Sequence, residues 1–366
     1  MNAPRPLPAL RQLIRDTFRQ AWASGIFAMM LTVTAVCVVL CLSVSVSGDT
    51  TLHGADEPPL FLPPPSPRVI APSALLALGS SGPLDAAARA ATGGQVWFAL
   101  ANNPEMARHE GVDTVGGRMS LAFGAISFPV ARERADSVRF LELVLSAGVT
   151  GSAGLLLALV WTAGFLPTFL DPRAASVLLA KPVGRSQLLV GKYLGVLIFV
   201  GLQVVLFVVL TWLALGLRTN VWDMAYWWCI PLLVVQFAVL YSFSALLAVT
   251  TRSTVACVFG SLLFWLTSWG INYGSVMAHG AAEARQASPV TVVLADAAYW
   301  ISPKPIDAGL ILYNALGSEQ HFEKPTVFRL LESGRGFSPW LSLLSSLAFA
   351  AVLLGFSAYE FVARDY

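Results

Sequence analysis

The chain has 366 residues, of which 56% are hydrophobic and only 12% charged, with a formal net charge of +2. Soluble domains carry about 25% charged residues, and a water-exposed protein of this size has no way to cover so much apolar surface. Its bases form no patch, which excludes a nucleic-acid surface.

Residues 1–24 open the chain. Leu10, Leu13, Ile14, Phe18 and Trp22 recur at helical spacing, with Arg11, Arg15 and Arg19 every four residues beside them. The pattern predicts an amphipathic helix lying in the membrane interface, anchored by Arg11, Arg15, Arg19 and Trp22. Six apolar stretches follow at 25–47, 143–170, 188–217, 226–250, 254–277 and 339–360. Residues 25–46, 143–170, 226–251, 254–277 and 339–359 contain no Asp, Glu, Lys, Arg or His, and 188–217 contains only Lys192. A bilayer core about 30 Å thick needs roughly 20 apolar helical residues. One central charge costs about 2.5–3.5 kcal/mol on insertion scales. Avoiding that cost six times predicts six transmembrane helices.

Between the spans lie three informative segments. Residues 48–142 contain the run from Pro58 to Pro67, which cannot be helix or central strand because proline lacks the donor. Further on, 95–100, 118–123 and 125–130 read as short strands, with Gly116, Gly117 and Gly124 marking turns. Residues 278–338 hold two apolar pieces, 290–294 and 308–316, too short to span and expected as re-entrant or interfacial helices broken by Pro303 and Pro305. Residues 171–187 join spans two and three. The expected fold class is an all-α polytopic membrane protein with six transmembrane helices, an N-terminal amphipathic interfacial helix and a small β-containing extracytoplasmic region.

Charge orients this scheme. With the N-terminus inside, the inner segments hold Arg5, Arg11, Arg15, Arg19, Arg173, Lys181, Arg185, Lys192, Arg252 and Arg364 against Asp16, Asp171, Glu360 and Asp365. The basic excess follows the positive-inside rule and places both termini in the cytoplasm. Cys37, Cys41, Cys229 and Cys257 all fall in or at the edge of spans, so they are read as small apolar residues without a disulfide framework. Residues 25–46 exceed a usual signal-peptide core and no small-residue cleavage site follows.

Several chemistries find no residues to carry them. The phosphate-loop pattern G-x-x-x-x-G-K-[ST] is missing, since Tyr193 follows Gly191-Lys192. His53, His109, His279 and His321 are scattered, so neither a metal nor a cofactor is expected. No nucleophile elbow occurs. The polar residues within the spans, such as Gln203, Gln236, Tyr241, Ser242, Ser244 and Asn272, are neutral and are expected to bond across helices. A proton-driven pump, which keeps an ionisable relay in the membrane, is disfavoured. The chain is therefore not expected to be an enzyme, and any transport needs energy from another chain.

The segment between spans two and three is the most telling. Asp171 can cap a helix with Pro172 at its first position, residues 174–180 make about two turns, Lys181 favours the C-terminal end, and Pro182 stops it. Val177, Leu178 and Leu179 form an apolar stripe needing cover from lipid or a protein groove. Phe165-Leu166-Pro167, then Leu178-Leu179-Ala180-Lys181-Pro182-Val183-Gly184-Arg185 and Gly191-Lys192-Tyr193-Leu194-Gly195, resemble the membrane subunits of ABC-2 type transporters. The resemblance implies a multi-pass permease of the bacterial plasma (inner) membrane, partnered by a separate ABC ATP-binding subunit and a second permease subunit, identical or not. It implies that Asp171, Arg173, Val177, Leu178, Lys181 and Arg185 dock on the ATP-binding subunit. It also implies that Arg185 and Lys192 hold the loop at the membrane surface. The length of 48–142 departs from the family pattern and leaves the substrate open. The alternative is a membrane scaffold that transmits the ATPase cycle without moving a substrate.

Overall fold

The computed structural model describes residues 6–47, 51–54, 60–61, 112–115, 117–130, 134–170, 184–283, 288–318, 324–335 and 337–363. Six helical spans cross the molecule: Ile26–Ser43, Ser137–Phe169, Arg185–Thr219, Met224–Thr251, Thr254–Gly280 and Pro339–Ala363. The chain is an all-α polytopic membrane protein, because its six spans have the length and hydropathy that hydrocarbon demands.

Helix α1 (Pro6–Ala23) precedes the spans. Leu13, Thr17 and Ala21, four residues apart, are buried, while Arg11, Arg15, Arg19 and Trp22 stay exposed. Gly25, in the left-handed region at φ 73°, turns the chain into α2 (Ile26–Ser43). Strand β1 (Ser45–Ser47) then pairs antiparallel with β5 (Gly117–Leu121), and β5 with β6 (Ile126–Val130). A second sheet has the order β3 (Leu60–Phe61), β2 (Thr51–Gly54), β4 (Val112–Val115). The turn at Ala122–Gly124 takes Ala122 and Phe123 out of the strand expected at 118–123. The expected strand at 95–100 lies outside the described residues.

Span two is assembled from α3 (Arg134–Leu143), a π-helical stretch (Val144–Gly154), α4 (Leu155–Thr162) and α5 (Phe165–Phe169). It begins at Ser137 rather than at 143, which brings Arg139 and Glu142 into the span. Arg139 is offset by an ion pair with Asp223 at 3.2 Å. Glu142 is 1% exposed, which corrects the expectation that the interior polar groups are all neutral. The π stretch is held partly by hydroxyls that match its wider turn: Thr150 donates to the Leu145 carbonyl and Ser152 to that of Ala147, each five residues back.

Span three, α6 (Arg185–Thr219), is the hub, half buried along its most apolar window. Phe199, Val196, Leu189 and Leu215 are fully enclosed. Lipid tails are as apolar as these side chains, so close packing holds the spans together. Tyr193 donates to the Ala238 carbonyl at 2.7 Å and stacks on Tyr241, which stacks on Phe237. These contacts tie α6 to α7 (Cys229–Thr251). A reversal at Arg252, φ 53°, joins α7 to α8 (Thr254–Glu283). Most span hydroxyls bond within their own helix, as with Thr34 to Met30, Thr162 to Ala158 and Ser242 to Val239. The expected bonding across helices is met at Asn272, which accepts from the Ile306 amide at 3.2 Å.

Between spans five and six stand α9 (Pro289–Ile301), α10 (Pro305–Ala315) and α11 (Thr326–Arg335), followed by α12 (Pro339–Ala363). The helix at 289–301 encloses the first short apolar piece read from the sequence, and the helix at 305–315 covers the second as far as Leu316, which caps it. Pro305 starts a helix rather than breaking one, as suits its preset φ at a first turn. Asp307, in that first turn, is fully buried and accepts hydrogen bonds from Tyr299 Oη and Ser342 Oγ. Lys304, 4% exposed, donates to Ser345 Oγ at 2.6 Å and lies over the rings of Tyr299 and Trp300.

Candidate functional site

The segment singled out by sequence leaves the described residues at Leu170 and returns at Gly184. Asp171, Arg173, Val177, Leu178 and Lys181 therefore lie outside the described residues. Both flanks of the segment are described, and the end of span two meets the early part of span three in one joint.

Its centre is Lys192. Seven residues separate it from Arg185, so both lie on the same face of α6, about 10 Å apart along the axis. Arg185, half-buried, begins the helix. Lys192 is 3% exposed and covered by α1. A buried ammonium needs compensation. Its Nζ donates to Gln20 Oε1 at 2.7 Å, and it sits 5.7 Å and 5.8 Å from the ring centroids of Phe165 and Phe169. Gln20 uses its other end to donate to Thr168 Oγ at 2.9 Å, and Thr168 donates to the Gly164 carbonyl. The relay Lys192–Gln20–Thr168 thus links span three, α1 and the end of span two.

One turn further along α6 the helices touch at Gly195. A side-chain carbon there would lie 2.7 Å from Thr17 Oγ and 3.6 Å from the Ile14 Cα, so only glycine lets α1 settle this close. Next comes Phe199, which meets Phe18 edge-on and also touches Phe27 and Phe165. Lys192, Gly195 and Phe199 form one stripe at i, i+3 and i+7. The exposed bases Arg11, Arg15 and Arg19, with Trp22 at 74% exposure, face away from this seam.

Mechanically, the joint is a clamp. It fastens the end of span two to span three through α1. We expect Lys192→Met to remove one charge-assisted bond and strand Gln20 Oε1, a loss of about 1–3 kcal/mol. Hydrogen exchange across residues 6–23 should then rise by about tenfold or more. Unchanged protection would show that the bond carries no load.

Sequence reasoning pointed to Lys192 and to Phe165 but missed Gln20 and Thr168. Gln20 lies among the polar residues of an amphipathic helix, and its partners are 148 and 172 positions away. Asp307 carried a better signal, an acid two residues after a proline that starts a helix. Among the described residues no group of His, Cys, Asp and Glu could hold a metal ion.

Comparison with known families matches residues 66–366 to the family described as ABC-2 family transporter protein. No curated protein matches the chain. The matched region takes in spans two to six and the loop clamped by Lys192. The chain belongs to the ABC-2 transporter family as a membrane-spanning member.

Proposed function

We propose that this chain is the permease subunit of an ATP-driven exporter whose ATP hydrolysis takes place on a separate ABC ATP-binding subunit. The observation that carries the reading is the clamp: the end of span two and the first turns of span three, which flank the loop 171–183, are tied to α1 by the Lys192–Gln20–Thr168 relay. A loop held this way converts docking force into movement of spans two and three. Asp171, Arg173, Val177, Leu178, Lys181 and Arg185 supply the docking surface. Arg11, Arg15, Arg19 and Trp22 anchor α1 in the interface, and Lys192 fastens it to the spans. The loop, both termini and the docked ATPase lie on the cytoplasmic side of a bacterial plasma membrane, following the distribution of bases. Two permease subunits, alike or different, complete the unit.

Extraction in mild detergent tests the reading. An ABC ATP-binding subunit should copurify with the chain, and its absence under several detergents would count against the proposal.

A second reading has its own observation. The β1–β5–β6 sheet is fastened to the spans: Arg218 Nε donates to the Val44 carbonyl at 2.9 Å, and the Ala122 amide donates to Ser43 Oγ at 2.9 Å. Movement of spans one and three would reach that sheet directly. A transmission subunit that moves no substrate would use the same linkage.

A further inference from the structure

Gln203 is a buried amide in span three with neither of its ends bonded. It lies near the centre of α6, about 25 Å from either end at 1.5 Å per residue, beyond the reach of headgroup water. The residue is 6% exposed, and neither its amide nitrogen nor its amide oxygen has a hydrogen-bond partner. An amide in hydrocarbon without partners costs about 2–7 kcal/mol, depending on the reference state. Neighbouring hydroxyls do not answer it. Thr34 donates to the Met30 carbonyl at 3.0 Å and Thr150 to that of Leu145 at 2.9 Å.

The amide lines a cleft between the first four spans, with a volume of about 80 Å³. Its other walls are almost wholly apolar, including Leu155, Val204, Phe207 and Phe237. The π-helical stretch ends on one wall, where Thr150 and Gly154 line the cleft. Such stretches concentrate at functional sites. Val33 and Leu157, 36% and 38% exposed, stand on the rim, so the cleft opens sideways toward hydrocarbon.

From this we infer that the cleft binds a lipid-soluble molecule whose apolar body carries one internal hydroxyl or carbonyl, and that Gln203 reads that group. A short stretch of an ordinary acyl chain fills the cleft but offers the amide nothing, and a phospholipid's esters lie at the interface, too far from mid-depth. The occupant therefore enters from the bilayer and brings its polar group to the centre. The inference concerns binding by this chain alone and does not rest on ATP-driven export.

The test uses the full chain in lipid nanodiscs, without an ATPase, and a stearate photoprobe carrying a mid-chain diazirine. Label should concentrate on cleft residues of the first four spans. Stearate with a mid-chain hydroxyl should displace the probe at about tenfold lower concentration than plain stearate, the gain of roughly one hydrogen bond. Gln203→Leu, or Gln203→Met if the first variant does not fold, should erase that preference while leaving plain stearate nearly as potent. Leu155→Trp should fill the cleft and abolish labelling there. Label spread evenly over the lipid-facing surface would overturn the site. Equal displacement by both competitors in the native chain would also overturn the role of Gln203, leaving its amide to water, as would a preference surviving in the variants.

Discussion

Aspartate in place of Val177 or Leu178 is expected to abolish capture of the ATP-binding subunit while leaving the protein in the membrane. The proposed docking helix is short, begun by Asp171-Pro172 and ended by Lys181-Pro182, and its apolar stripe must be covered by a partner. A carboxylate forced into that contact without a counter-charge costs about 3–5 kcal/mol, or a hundredfold to several thousandfold in affinity. Insertion should not suffer, because positions 177 and 178 fall between the end of span two at Phe169 and the start of span three at Arg185. Expression and detergent behaviour should match the native chain, while the copurified ATPase falls to background. A variant that still holds its ATPase in native amount would remove these residues from the docking surface.

Gly195→Val should separate docking from transmission. A Cβ at this position meets Thr17 Oγ at 2.7 Å, and Thr17 is fully buried and already donating to the Leu13 carbonyl, so it has nowhere to swing. Overpacking of this kind costs about 1–3 kcal/mol. Helix α1 must lift, and the Lys192–Gln20 bond and the Phe18–Phe199 contact lie on the same seam. We expect ATPase association to stay within a few-fold of native and ATP-driven flux to fall by about tenfold or more. Thr17→Gly in the same chain should restore much of the flux by opening the space. Loss of association together with flux, or no rescue by Thr17→Gly, would show that the seam does not transmit the motion.

Much of this architecture was legible because hydrocarbon is a severe solvent. Five uncharged runs and a sixth with one lysine left little choice, and the amphipathic pattern at 8–22 marked α1. The start of span two was misread for a physical reason. Arg139 and Glu142 looked like loop charges, yet Arg139 is offset by Asp223, which is 84 residues away and invisible to any local pattern. The burial of Lys192 was hidden for a similar reason: nothing in 188–217 announces that α1 folds over it. The glycine at 195 belonged to the recognised motif, but its purpose, contact with Thr17, needed the third dimension. Short strands at 117–121 and 126–130 followed from their composition and flanking glycines, whereas the pairing of β1 with β5 could not be read locally.

Reconstitution of the chain with its copurified ATPase into sealed vesicles tests the central claim most directly. The account predicts ATP-dependent movement of a solute or lipid across the vesicle membrane, abolished by Val177→Asp. Sustained ATP hydrolysis with no movement of any candidate solute or lipid would contradict a permease and favour the transmission subunit instead.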